Sequence, residues 1–152
     1  MVKIIEPISE LEKIKSLLTE CGLPVTDILQ PDPPLFFGYR SESCVVAVVG
    51  LELFGSVALL RSLAVAPAHR GRGLAHKLVA YAEGVAASRG VDSLFLLTTT
   101  AYDFFGKLGF VPVSRSAAPP AIQATSQFSS LCPASSAFLR KSVAKISPSS
   151  AE

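Results

Sequence analysis

The segment Leu63-Ala64-Val65-Ala66-Pro67-Ala68-His69-Arg70-Gly71-Arg72-Gly73-Leu74-Ala75 constrains this chain more than any other. A β-rich run, Val57 to Val65, stops at Pro67. A basic, glycine-rich turn follows, and a long helical pattern begins. Consecutive backbone amides in such a turn, with the positive end of a helix dipole behind them, form an anion site. Gly71 and Gly73 let the backbone approach a phosphate with no Cβ in the way. Arg70 and Arg72 add fixed positive charge suited to phosphate oxygens. The turn is no dinucleotide fingerprint, because Gly-x-Gly-x-x-Gly is not completed and no ribose-binding acid stands at the expected distance. It is no nucleoside-triphosphate loop either, since Gly-Lys-Ser/Thr is missing.

The flanking pattern predicts an α/β domain. Gly71 to Gly90 carries Leu74, Leu78, Val79, Ala82, Val85 and Ala86, the apolar stripe of a helix that Gly90 closes. Upstream, Ser9-Glu10-Leu11-Glu12 reads as a capping box for a helix from Glu10 to Cys21, which Gly22 ends. Pro24, Pro31, Pro33 and Pro34 make the next stretch a loop, with room for one helical turn at Thr26 to Leu29. Leu35 to Arg40 and Cys44 to Leu53 form a hairpin about Ser41-Glu42-Ser43, and Phe54-Gly55-Ser56 turns into the third run. Ser93 to Thr98 and Phe110 to Ser114 are further strands, with a short helix, Tyr102 to Leu108, between them. A weak helical stretch follows Pro119-Pro120, and Ala137 to Lys141 is a last strand. The central runs are almost continuously apolar, so both sheet faces are expected to be covered.

With 152 residues, 49% of them apolar, the chain suits one compact domain, residues 1–146, followed by a polar tail, 147–152. Its longest apolar run, Cys44 to Leu51, is eight residues and falls short of the roughly 20 that span a bilayer. The first residues lack the pattern of a secretory signal. Three widely spaced cysteines, Cys21, Cys44 and Cys132, read as buried thiols in a reducing cytoplasm. A net charge of +2 with mixed signs argues against nucleic acid as a partner.

The strand-turn-helix segment resembles the GCN5-related N-acetyltransferase family. Its signature, Arg/Gln-x-x-Gly-x-Gly/Ala after apolar-Val-x-Pro, is met by Arg70 to Ala75 after Leu63 to Pro67. A second landmark, Asn-x-x-Ala-x-x-Phe-Tyr-x-Lys-x-Gly-Phe, is similar to Thr98-Thr99-Thr100-Ala101-Tyr102-Asp103-Phe104-Phe105-Gly106-Lys107-Leu108-Gly109-Phe110. The resemblance covers Leu35 to Ser114 well and the ends more loosely. It implies a single domain with a central mixed, mainly antiparallel sheet of about six to seven strands, flanked by helices on both faces. It also implies acetyl-CoA as acetyl donor, with its pyrophosphate on Arg70, Gly71, Arg72, Gly73, Leu74 and Ala75. The pantetheine arm would lie like an added strand along Leu63, Ala64 and Val65, with Thr98 and Phe104 completing the cofactor contacts.

The chain departs from that family at Phe105, where many members place a tyrosine to protonate the leaving thiolate. Either Tyr102 substitutes or water does; packing on the surface is the plainer role for Tyr102. The Thr98 hydroxyl replaces an asparagine and is expected to bond the pantetheine or a backbone carbonyl. Glu52, which interrupts a long apolar strand, is the candidate general base; alternatively it is a solvated strand end. Arg61, a lone cation in the most apolar strand, suits a carboxylate, either an acceptor's or that of Glu52. Register decides between them. A three-residue turn at Phe54-Gly55-Ser56 puts Arg61 and Glu52 on opposite faces, and a two-residue turn puts them on one. His69 and His76 have no metal-ligand spacing, are expected to be solvated, and no metal is expected. No histidine follows the C-terminal Ser/Cys cluster, which disfavours an acyl-enzyme route.

In its C-terminal half, Leu96 to Ala101, Asp103 to Phe105, Pro120 to Ile122 and Phe128 to Ala137 resemble the bacterial arsenic-resistance-associated N-acetyltransferases. Those are in turn similar to the acetyltransferase domain of N-acetylglutamate synthases. The resemblance implies a small amino-acid-like acceptor, extending to an arsenic-containing amino acid. The alternatives are a protein, peptide or drug-amine acetyltransferase, and a non-catalytic acetyl-CoA sensor. Analogy with short members of the fold adds a homodimer.

Overall fold

The structure is a computed structural model that describes residues 4–23, 25, 34–42, 44–125, 128 and 136–143. Strand β1 (Glu6–Pro7) precedes helix α1 (Leu11–Glu20), and β2 (Leu35–Ser41), β3 (Cys44–Phe54) and β4 (Val57–Val65) follow. A 3₁₀ turn at Pro67–His69 leads into α2 (Leu74–Ser88) and β5 (Ser93–Thr98). Then come α3 (Tyr102–Lys107), β6 (Val111–Pro112), a second 3₁₀ turn (Arg115–Ala117), α4 (Pro120–Gln123) and β7 (Ala137–Ser142). The seven strands form one open sheet in the order β1-β2-β3-β4-β5-β7-β6. Pairings β1–β2, β2–β3, β5–β7 and β6–β7 are antiparallel, and β4–β5 is parallel. This mainly antiparallel α/β sheet flanked by helices matches the expected class.

The chain divides into two compact units, residues 1–52 with 60–82, and residues 53–59 with 83–152. In the first, α1 lays Ile14, Leu17 and Leu18 against Ile8, Phe36, Val45, Val48 and Ala64. Helical spacing puts those three residues on one face, and Gly22, at φ 76°, ends the helix as read from sequence. The start differs from expectation. Glu10, not Ser9, is the N-cap, and no side chain caps the helix. The Glu10 carboxylate instead accepts from Arg40 Nη2 at 2.6 Å, while Arg40 Nε donates to Glu6 at 3.2 Å. One guanidinium thus fastens β2 to β1 and to the entrance of α1.

In the second unit, Leu59, Phe95, Ala118, Ile122 and Phe138 make a separate core. The parallel β4–β5 ladder pairs Val57, Ala58 and Leu59 with Ser93, Leu94 and Phe95. Lys141 of β7 reaches Glu83 of α2 at 2.9 Å, and Arg140 donates to Ser93 Oγ at 2.8 Å.

Several expectations need correction. The β2–β3 turn is shorter than Ser41-Glu42-Ser43, because Ser41 pairs with Cys44. Only Gly55 and Ser56 separate β3 from β4. The long helix starts at Leu74 rather than Gly71, and the strand expected at Phe110 to Ser114 shrinks to Val111–Pro112. Cys21 is half-buried and Cys44 exposed, so neither is the buried thiol read from sequence. The helical turn at Thr26 to Leu29, Cys132 and the tail 147–152 lie outside the described residues.

Candidate functional site

The phosphate-type turn is built as its residues dictate. Gly71 and Gly73 stand at φ 79° and 77°, in the left-handed region that glycine enters without penalty. A Cβ added at either would meet nothing of this chain within 4 Å, so the space above both is open. Gly73 accepts the first bond of α2 from the Lys77 amide at 3.2 Å. The next few amides of this 15-residue helix therefore have no acceptor within it. The dipole of a helix this long adds positive potential at its start. The turn can hold a diphosphate.

The two arginines of the turn part company. Arg70 folds back, with Nε donating to Val65 O at 3.0 Å and Nη2 facing Cys21 Sγ at 3.7 Å. Its charge braces the end of β4, whereas Arg72 is exposed. His69, expected to be solvated, is half-buried. Its Nδ1 is buried without a hydrogen-bond partner among the described residues. His76 is exposed as expected.

On β3 and β4 the structure brings Glu52 and Arg61 together, as a two-residue turn requires. Arg61 Nη1 donates to Glu52 Oε2 at 3.0 Å; the Arg61 side chain is 1% exposed and that of Glu52 21%. Gly50 makes room for this pair. A Cβ there would stand 2.9 Å from the Phe36 ring and 3.2 Å from Arg61 Cγ. Arg61 Nε also donates to Ser62 Oγ at 2.9 Å. Neighbouring residues of a regular strand point to opposite faces, so this bond signals an irregularity. Ser62 has φ 56°, uncommon for a non-glycine residue. Gly50 lies against Arg61, yet four residues back Val46 O accepts from the amide of Ala66, five residues on. Strand β4 thus carries one extra residue, a bulge at Ser62. Sequence reasoning missed Ser62, because a serine gives no signal for a positive φ.

In the other unit, Thr98 Oγ1 accepts from the Ala101 amide at 3.0 Å, so its hydroxyl supports the turn into α3. Phe104 is half-buried. Phe105 is 6% exposed and packs edge-on against Phe104 and Phe110, at centroid distances of 5.1 and 5.6 Å. Tyr102 is a surface residue, 47% exposed. Among the described residues no group of three or more His, Cys, Asp or Glu side chains could hold a metal, and no helix is long and apolar enough to cross a membrane.

A family model described as acetyltransferase (GNAT) family matches residues 5–110, well over half of the chain. The chain belongs to that family. This member of the GNAT family shares its fold with many solved structures. One is N-acetylglutamate synthase from Neisseria gonorrhoeae, complexed with coenzyme A and N-acetyl-glutamate, at 19% identity and TM-score 0.75. That match covers 94% of this chain but 35% of the synthase, so this chain spans about a third of that protein's length. The PaiA N-acetyltransferase from Thermoplasma acidophilum, in complex with coenzyme A, gives 16% identity and TM-score 0.68 over 93% of this chain and 99% of its own. A GNAT acetyltransferase from Staphylococcus aureus gives 16% identity and TM-score 0.72, over 93% and 99%. No curated protein matches the sequence.

Proposed function

We propose that this acetyltransferase moves an acetyl group from acetyl-CoA to a small amine, by direct attack of the amine on the thioester. The observation that carries the reading is the open turn from Arg70 to Ala75, with two left-handed glycines before the start of α2. Bound acetyl-CoA would supply an activated acetyl group. The amides from Gly71 to Ala75 and the Arg72 guanidinium hold its diphosphate, while Arg70 keeps the end of β4 in place. Backbone groups of Leu63, Ala64 and Val65 pair with the pantetheine amides as with a strand. By the family resemblance, Thr98 and Phe104 are further candidates for cofactor contact.

Glu52 takes the proton that the attacking amine must lose. Its carboxylate is one-fifth exposed, enough to meet an acceptor, and its partner Arg61 keeps it oriented. Phe105 has no hydroxyl, so water protonates the departing thiolate. The acceptor is amino-acid-like. This rests on the resemblance of the C-terminal half to arsenic-resistance-associated acetyltransferases, on the likeness to N-acetylglutamate synthase, and in its finest form names an arsenic-containing amino acid. Most of Phe128 to Ala137 lies outside the described residues. The working place is the cytoplasm.

Arg61 enters through its bond to Glu52. As the anchor of an acceptor's carboxylate, the role expected from sequence, it would have to share its guanidinium between that carboxylate, Glu52 and Ser62. Arg61→Lys keeps the charge and loses the planar fork. A loss confined to acceptors with a carboxylate, about 10-fold or more, identifies the anchor; equal loss for all amines identifies a support for Glu52. The decisive experiment is release of free CoA from acetyl-CoA with a panel of amines: α-amino acids, an arsenic-containing amino acid, polyamines and N-terminal peptides. Turnover led by the α-amino acids supports the reading. Turnover led by peptides, or binding of acetyl-CoA without turnover, overturns it.

A further inference from the structure

The Ser62 bulge has an unusual construction. A residue with φ 56° in mid-strand is strained unless its surroundings fix it. Glycine would be the unstrained choice, yet this chain places a serine there. The serine's hydroxyl accepts from Arg61 Nε, and the same guanidinium donates from Nη1 to Glu52 Oε2. The bulge turns the Ser62 and Arg61 side chains toward each other, so that Glu52, Arg61 and Ser62 form one polar row across two strands. Arg61 is almost fully buried, and Glu52 is the end of the row that solvent reaches.

We infer that Ser62 is a positioning residue for acetyl transfer, fixing Arg61 and through it the Glu52 carboxylate. A guanidinium held at Nε by one partner and at Nη1 by another cannot swing about its stem, so its fork presents Glu52 in a single orientation. A base must lie within hydrogen-bond reach of the proton it removes, and small errors of placement slow transfer severely. Ser62 touches no reacting atom in this account; its effect passes through two hydrogen bonds. The inference rests on the reading of Glu52 as the base.

Two substitutions separate the hydroxyl from the backbone. Ser62→Gly suits φ 56° and removes the acceptor. Ser62→Asn also tolerates that conformation and returns an oxygen that can accept from Arg61 Nε. Coenzyme A binding, measured by calorimetry, should be unchanged in both and reports that each variant is folded. With acetyl-CoA and the amine panel above, Ser62→Gly should lower kcat by about 10-fold for every acceptor used, with the KM for acetyl-CoA unchanged. Ser62→Asn should restore most of that loss. In a Glu52→Gln background, Ser62→Gly should add less than about 2-fold, because the row acts as a unit. Wild-type kcat in Ser62→Gly beside an impaired Glu52→Gln overturns the positioning role alone. Equal losses in the Gly and Asn variants overturn it too. Wild-type kcat in Glu52→Gln overturns the base assignment and this inference together.

Discussion

At the scale of single residues, the turn proposed to hold the diphosphate makes the sharpest demand. Gly73→Val places a β-branched side chain at φ 77° and fills the open space above the turn. Left-handed backbone costs about 1–2 kcal/mol for an L-residue, which a domain of this size can absorb. Coenzyme A affinity should fall below detection by calorimetry while circular dichroism stays native. A folded Gly73→Val protein with full affinity would remove the turn from the cofactor site. Phe105→Tyr asks a different question. Phe105 is buried edge-on against Phe104 and Phe110, so a new hydroxyl that finds no partner should lower stability by about 1–3 kcal/mol in urea unfolding. Turnover per folded molecule should hold or rise if water now protonates the thiolate slowly. A large fall in turnover at unchanged stability would place Phe105 away from the leaving group.

At the scale of elements, Arg40 gathers β1, β2 and the start of α1. Its hydrogen bond holds the Glu10 carboxyl down at about 2, against an ordinary value of 4.5. A depressed carboxyl contributes stability that is complete above its unfolded value and is lost as pH falls through its folded one. The fastening should therefore be whole above about pH 4.5 and vanish toward about pH 2. Protection factors of the Leu11 to Glu20 amides, which remove the intrinsic pH dependence of exchange, should fall down that range, and in Glu10→Gln the fall should flatten. Unchanged protection in wild type would mean that packing alone seats α1. Sequence reached this helix but not its entrance. The capping box is a local reading of Ser9 and Glu12, whereas the N-cap falls one residue later at Glu10, whose carboxylate is held by Arg40, 30 residues away. Strand β1 was invisible for a related reason: two residues including Pro7 have no period to detect. By contrast the strands Val57 to Val65 and Ser93 to Thr98 are legible as apolar runs, the first closed by Pro67 and the second opened after Gly90. The two-residue turn that joins Glu52 to Arg61 is not readable from the residues, since Phe54-Gly55-Ser56 allows either register. The bulge at Ser62 was not legible at all.

At the scale of the whole molecule, the two compact units are not consecutive pieces of chain. Strand β3 passes from one to the other after Glu52, β4 passes back after Leu59, and α2 crosses again after Ala82. Neither unit can melt without disrupting two strands whose remainder belongs to the other. One cooperative unfolding transition is therefore expected. Each core offers a fully buried isoleucine with which to test this, Ile14 in the first and Ile122 in the second. Truncating either to alanine should cost about 2–5 kcal/mol through lost burial and the cavity left behind. If the units unfold together, Ile14→Ala and Ile122→Ala should each move the same urea midpoint, with the slope against denaturant unchanged. Fluorescence of Tyr39 in the first unit and of Tyr102 in the second, followed separately after Tyr→Phe replacement of the others, should trace coincident curves. Curves that separate in either variant would show two folding units joined by shared elements, and the divisions after Glu52, Leu59 and Ala82 would then mark the boundary between domains.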